Sequence, residues 1–227
     1  MGGARETTPI VPMAEPVARL ILITPVLTDA ALAPLLSEAC AAGDVAAVIA
    51  RLADADERSL VNAVKALAPA VQAHGAALLV ALQGDTDPAT VAARGGADGV
   101  HVPGEAGQVR DLKERLRDRS VGVGGIRTRD DAMAMGEAGA DYLLFGEPRP
   151  DGSVPALAGT VERASWWAEI FETPCIAFAP TLEDVPTLRD TGAEFVAIGD
   201  AAFGHREGAA AAVRAADGML RRPGASR

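Results

Sequence analysis

Lysine is nearly missing from this chain: of 227 residues, only Lys65 and Lys113 carry it, and every other permanent side-chain cation is arginine. Both lysines fall in helix-like stretches, away from strand ends where catalytic groups of a β/α fold belong. Cysteine is as scarce, with Cys40 and Cys175 alone. Two thiols with neither metal-ligand spacing nor a secretory context exclude a disulfide scaffold and a zinc motif, and read as reduced, buried residues of a cytoplasmic protein. No apolar stretch reaches membrane-spanning length before a charge or glycine breaks it, so no membrane partner is expected. The first residues lack the basic start and apolar core of a signal peptide. Positive charge is also in deficit. A net charge of -10 argues against a nucleic-acid partner, which needs basic patches to neutralise phosphates.

Apolar residues make up 49% of the chain and aromatics only 4%, so the core is built from Ala, Val, Leu and Ile. That suits buried parallel strands covered by Ala-rich helices. One phrase recurs: Ala42-Gly43-Asp44-Val45, Gly96-Ala97-Asp98-Gly99, Gly139-Ala140-Asp141-Tyr142 and Gly192-Ala193-Glu194-Phe195. Each follows a helix-like stretch and opens a short apolar run. Glycine can take the left-handed conformation that ends a helix, and the β-branched and aromatic residues after it prefer an extended chain. The unit is helix, glycine stop, buried strand. Strands are expected over 20–24, 45–51, 77–82, 99–102, 120–124, 142–145, 174–178 and 195–198, with helices among them over 57–74, 109–119, 128–138 and 182–191. Asp29, Asp87, Thr128 and Thr181 stand where N-caps belong, and Pro88 follows Asp87 at the first-turn position. Eight such units predict a single-domain (βα)8 TIM barrel over 17–220, with disordered tails over 1–16 and 221–227. In that architecture the active site lies at the carboxyl ends of the strands.

The order of motifs on that rim resembles thiamine phosphate synthases. Gly96-Ala97-Asp98-Gly99-Val100-His101-Val102 with Glu105 is similar to that family's GADGVHLGQED segment. Val121-Gly122-Val123-Gly124-Gly125, then Ala138-Gly139-Ala140-Asp141-Tyr142-Leu143-Leu144-Phe145-Gly146, resembles GVSTHT…AGADYIGFGP. The TenI-type thiazole tautomerases share the frame. The resemblance implies a transferase of thiamine biosynthesis that joins hydroxymethylpyrimidine diphosphate to thiazole phosphate and releases pyrophosphate. It implies Mg²⁺ on the diphosphate, and a phosphate nest at the last two strands. Arg51 matches the family's diphosphate-binding arginine and Asp87 one of its two metal-binding aspartates.

Other positions depart. The second metal aspartate falls on Ala106, the Ser-Thr-His on Gly124-Gly125-Ile126, and the lysine-ended loop after the sixth strand on Glu147-Pro148-Arg149-Pro150-Asp151-Gly152-Ser153. The late phosphate nest becomes Ala179-Pro180-Thr181 and Gly199-Asp200. Pro180 has no N–H to offer. A carboxylate at Asp200 repels a phosphate by roughly 1–4 kcal/mol at intermediate dielectric. Lys65 and Lys113 cannot supply the missing charge from outer helices.

Several residues therefore carry two readings. Arg51 anchors phosphate or pairs with Asp85 or Asp87. Asp87 holds Mg²⁺ or caps a helix, and a cap uses one oxygen. His101 points opposite to Val100 and Val102, as a structural histidine or a ligand-orienting one. Gly124 and Gly125 with Arg127, just before a helix start, form an anion site or a plain turn. Thr181, Gly199 and Asp200 form a degenerate phosphate loop, or Asp200 caps the turn that follows. Of Trp166 and Trp167, one packs on the barrel and the other is exposed or makes a homo-oligomer contact. Two functions follow: a diverged synthase binding phosphorylated pyrimidine and thiazole, or an inactive barrel with an acidic mouth, re-purposed to bind a ligand or partner.

Overall fold

The recurrent glycine phrase acts as a left-handed helix stop at three of its four occurrences, Gly43 being the exception. Gly96, Gly139 and Gly192 all adopt positive φ, at 83°, 92° and 87°, and each leads the chain from a helix into the next strand. The computed structural model describes residues 17–149 and 151–222. The strands are β1 (Arg19–Ile23), β2 (Val45–Leu52), β3 (Ala77–Leu82), β4 (Gly99–Pro103), β5 (Ser120–Gly124), β6 (Tyr142–Phe145), β7 (Cys175–Ala179) and β8 (Phe195–Ile198). They pair parallel in sequence order and close, with Arg19 beside Phe195 and Leu22 beside Ile198. The helices are α1 (Ala33–Cys40), α2 (Glu57–Gln72), α3 (Pro88–Gly95), α4 (Ala106–Arg115), α5 (Arg129–Glu137), α6 (Leu157–Ile170), α7 (Val185–Arg189), α8 (Asp200–Phe203) and α9 (Ala209–Arg221). No helix among the described residues is long and apolar enough to cross a membrane.

Most caps fall where sequence places them. Asp87 accepts from the Thr90 N–H at 3.1 Å, and Thr128 exchanges hydrogen bonds with Asp131 at 3.0 Å in both directions. Asp29 is different: its Oδ1 holds the Ala31 N–H at 2.8 Å in a turn before α1. That helix starts later, where Pro34 presets φ in the first turn. The stretch 182–191 splits into a 3₁₀ turn (Leu182–Asp184) and α7, because Pro186 has no N–H for a continuous α-helical ladder. Helix α4 begins at Ala106, ahead of the apolar periodicity that marks 109–119, and ends at Arg115. The expected tails 1–16 and 223–227 lie outside the described residues. Arg221 belongs to α9, where it pairs with Asp217 at 2.9 Å and Asp44 at 3.7 Å.

Strand alternation divides the apolar residues into two cores. Val100, Val102, Val121 and Val123 join Leu36, Val64, Leu112 and Trp167 between barrel and helices. Ile21, Ile23, Ile49, Leu79, Tyr142, Leu144, Ile176 and Phe178 fill the barrel interior. On β5 the inward positions are Gly122 and Gly124, and the Tyr142 ring lies where a Gly122 Cβ would stand. Gly122→Ala is expected to cost about 1–3 kcal/mol, because an aromatic ring enclosed by strands cannot swing aside. Gly218→Ala, in α9 with open space around it, is expected to be neutral or stabilising. Urea unfolding of the two variants checks the contrast.

Candidate active site

At the carboxyl ends of the strands a cavity of about 520 Å³ opens, bounded by residues from β2 to β6, the β6–α6 loop and α6. A smaller one of about 180 Å³ lies beside it, towards β1, β7 and β8. Arg51, Pro148 and Arg149 border both, so the loop after β6 divides the mouth into two chambers. The larger is walled on its apolar side by Ala81, Leu82, Pro103, Ile126 and Leu144.

Its polar side carries four arginines: Arg51, Arg127, Arg149 and Arg163. None of the four forms an ion pair among the described residues; the salt bridges found lie elsewhere, apart from the one between His101 and Glu147. The main chain of Arg51 is fixed by its N–H donating to Thr24 Oγ1 at 3.0 Å. The pairing with Asp85 or Asp87 that the sequence leaves open is not formed. Nor is the larger chamber acidic: among the described residues Glu147 is its one carboxylate. The Nε of Arg163 is buried without any hydrogen-bond partner, a situation that costs about 1–3 kcal/mol.

Below the arginines lies a buried chain of three side chains. His101 points inward from β4 and is 4% exposed. Its Nδ1 lies 2.9 Å from the Tyr142 hydroxyl and its Nε2 3.4 Å from Glu147 Oε2. Burial, helped by the charges of Glu147 and Asp141, pushes Tyr142 well above its ordinary value, so the phenol keeps its proton. Burial also raises Glu147, but His101, Arg51 and the Gly125 N–H outweigh it and hold the carboxyl below its ordinary value. Glu147 is then an anion, accepting from the Gly125 N–H at 3.2 Å. The expected anion site at the Gly124–Gly125 turn thus has its Gly125 N–H directed at the protein's own carboxylate. Gly124 makes room for it: a Cβ there would fall on Glu147 and His101.

A carboxyl held low in the folded state stabilises the fold at neutral pH and loses that stabilisation as pH falls through its folded value. Glu147→Gln should therefore flatten the acid limb. The wild type should lose more melting temperature than the variant once pH drops below the ordinary value of 4.5. Parallel melting curves from pH 6 to 3 would contradict the anionic assignment.

The remaining expected residues lie apart from this cluster. Asp87 Oδ2 accepts from the Thr90 hydroxyl and Arg115 Nη2, both at 2.5 Å, as well as from the Thr90 N–H, and Asp87 lines neither chamber. Ala106 offers no ligand, and among the described residues no group of three or more His, Cys, Asp or Glu could hold a metal ion. Of the family's two metal-binding aspartates Asp87 alone is present, and its Oδ2 is engaged by Thr90 and Arg115; Mg²⁺ on such a site would take most of its ligands from substrate phosphates and water. Gly199 and Asp200 border the smaller chamber with Thr24 and Phe178. Thr181 does not, since its N–H and hydroxyl both donate to Asp184 Oδ2, at 3.2 and 2.9 Å. Asp200 opens α8 inside the helix; Gly199 is its N-cap, and no side chain caps it.

Sequence reasoning missed Arg149 and Arg163. The scarcity of lysine is no guide to the charge at this mouth, which comes from arginine. Arg149 was visible as a loop cation after β6. Arg163 had no signal, since it sits mid-helix and only the packing of α6 brings it over the barrel mouth.

A parallel (βα)8 barrel with unpaired arginines around an apolar-walled cavity at the carboxyl ends of its strands has the layout of a barrel enzyme with a small-molecule site. The sequence model of the thiamine monophosphate synthase family matches residues 20–202, and the chain belongs to that family. The thiamine-phosphate synthase of Rhodospirillum centenum is 41% identical over 199 residues, covering 86% of this chain and 94% of the relative. That of Erythrobacter litoralis is 32% identical over 203 residues, covering 85% and 91%. Among solved structures, a thiamine phosphate pyrophosphorylase from Pyrococcus furiosus superposes with a TM-score of 0.73 at 21% identity, covering 91% of this chain and 96% of that one. At that identity the superposition speaks for the fold.

Proposed function

We propose that this protein is a thiamine phosphate synthase, joining hydroxymethylpyrimidine diphosphate to thiazole phosphate with release of pyrophosphate. The observation that carries the reading is four arginines without carboxylate partners on one cavity, in a chain of net charge -10. Unpaired guanidinium groups gathered in an acidic protein are explained by a multiply charged anion that they receive. In the reaction the bond between the pyrimidine's methylene carbon and the diphosphate oxygen breaks, and the diphosphate leaves with the electron pair. A lone pair of the thiazole forms the new bond. Arg51, Arg127 and Arg149 hold the departing charge, and Ala81, Leu82 and Leu144 receive the pyrimidine ring. His101 and Tyr142 position Glu147, which keeps the Gly124–Gly125 turn in shape.

The smaller chamber, which Arg51 and Arg149 line together with Asp200, takes the thiazole phosphate. Magnesium, implied by family resemblance, meets no ready carboxylate cluster here, and the arginines carry the charge in this reading. Both thiols fit a reducing, cytoplasmic setting: burial pushes Cys40 up to about 11 and Cys175 up to about 12, which leaves them inert.

The test is turnover. Purified protein with Mg²⁺ and both substrates should form thiamine phosphate, detected as its fluorescent oxidation product. No product, beside an active synthase from Rhodospirillum centenum, would sink the assignment and favour the re-purposed barrel.

A further inference from the structure

We propose that Arg163, a residue of α6 and not of any strand end, is the anchor for the outer phosphate of the diphosphate. The identity of the ligand rests on the synthase reading; the anion site itself does not. Among the described residues, Arg163 Nε is the one buried side-chain nitrogen or oxygen with no hydrogen-bond partner. Its guanidinium lies alongside the bare backbone of Gly159, with Nη2 and Nη1 3.5 and 3.6 Å from where a Cβ would stand. The adjacent acid, Glu162, is engaged by Arg129 at 2.9 Å and does not neutralise it.

The side chain of Arg163 lines the larger chamber, and its buried Nε leaves the charge without internal compensation on the protein side. Nε is closed to the chamber, so the two Nη groups, engaged by no hydrogen bond among the described residues, form the planar fork that matches two oxygens of one phosphate group. The Gly125 N–H, the obvious alternative donor, is occupied by Glu147 at 3.2 Å. A diphosphate in this chamber is therefore held by the side chains of Arg51, Arg127, Arg149 and Arg163, with its outer phosphate on Arg163.

The experiment is calorimetric titration of the full chain with inorganic pyrophosphate in EDTA, and separately with inorganic phosphate. Arg163→Met should weaken pyrophosphate binding by about 10- to 100-fold, the range for losing charged hydrogen bonds. Arg163→Lys, which keeps the charge and loses the fork, should recover only part of it. Arg214→Met, on the exposed side of α9, should change nothing. Pyrophosphate should bind more tightly than phosphate, because only a diphosphate reaches both Arg163 and the loop arginines. Equal pyrophosphate affinity in folded Arg163→Met or Arg163→Lys, or no binding by the wild type at millimolar ligand, overturns the proposal. If Arg163-dependent pyrophosphate binding is found in a protein that makes no thiamine phosphate, the anion site stands and the synthase reading falls.

Discussion

Arg51→Met should lower kcat/KM for thiamine phosphate formation by about 10²–10³-fold, the range seen when one preorganised donor to a developing anion is removed. The residue borders both chambers, so in the proposed arrangement one guanidinium serves the diphosphate and the second substrate's phosphate together. Its backbone is held by Thr24 Oγ1 and its side chain has no ion-pair partner among the described residues. It therefore meets the substrates without first breaking a contact. The charge on the diphosphate grows as its bond to carbon breaks, so the loss should fall on kcat more than on KM. Arg51→Lys, a point charge without the fork, should recover part of the loss. Turnover of folded Arg51→Met within about threefold of the wild type, far short of the loss of one such donor, would remove Arg51 from the site.

Trp167→Ala should cost about 3–5 kcal/mol, the range for truncating a buried aromatic. Trp167 is 1% exposed, stacks on Phe171 with centroids 4.0 Å apart and meets Phe145 of β6 at 6.2 Å. Its Nε1–H donates to the Thr173 carbonyl at 2.7 Å. One side chain thus clamps α6 to the barrel and to the loop after it. Arg163 stands one helical turn earlier on α6, so a loosened helix should also weaken pyrophosphate binding. Trp167→Phe keeps most of the apolar volume and loses the hydrogen bond, and should fall between the two. Chemical denaturation with matched m-values reads the stability. A cost below about 1 kcal/mol would mean that the barrel wall closes over the gap. Trp166, by contrast, is half-buried and lies under the Arg129 guanidinium, 4.7 Å from its ring centre. Its replacement should matter little to folding.

The barrel was legible because its signals are local. The strands β3, β5, β6 and β8 begin and end where glycine stops and apolar runs place them, and Asp87 and Thr128 cap the helices they precede. A left-handed glycine, a cap hydrogen bond and a run of β-branched residues each act within a few positions of the chain. Where a proline intervened, at Pro34 and Pro186, helix bounds moved.

Distance in sequence made the rest illegible. That Glu147 fills the Gly124–Gly125 turn depends on β5 and β6 lying side by side. That His101 turns inward to Tyr142 depends on strand alternation meeting the two glycines of β5 that leave the ring its space. Arg163 reads as an ordinary helix cation until α6 is laid over the mouth. The chain's own order of residues settled the strands, the stops and the family motifs, because each is a local conformational preference. Which charges meet, which are already neutralised and which stay open to a ligand were settled by barrel closure, which brings residues tens of positions apart within hydrogen-bonding reach.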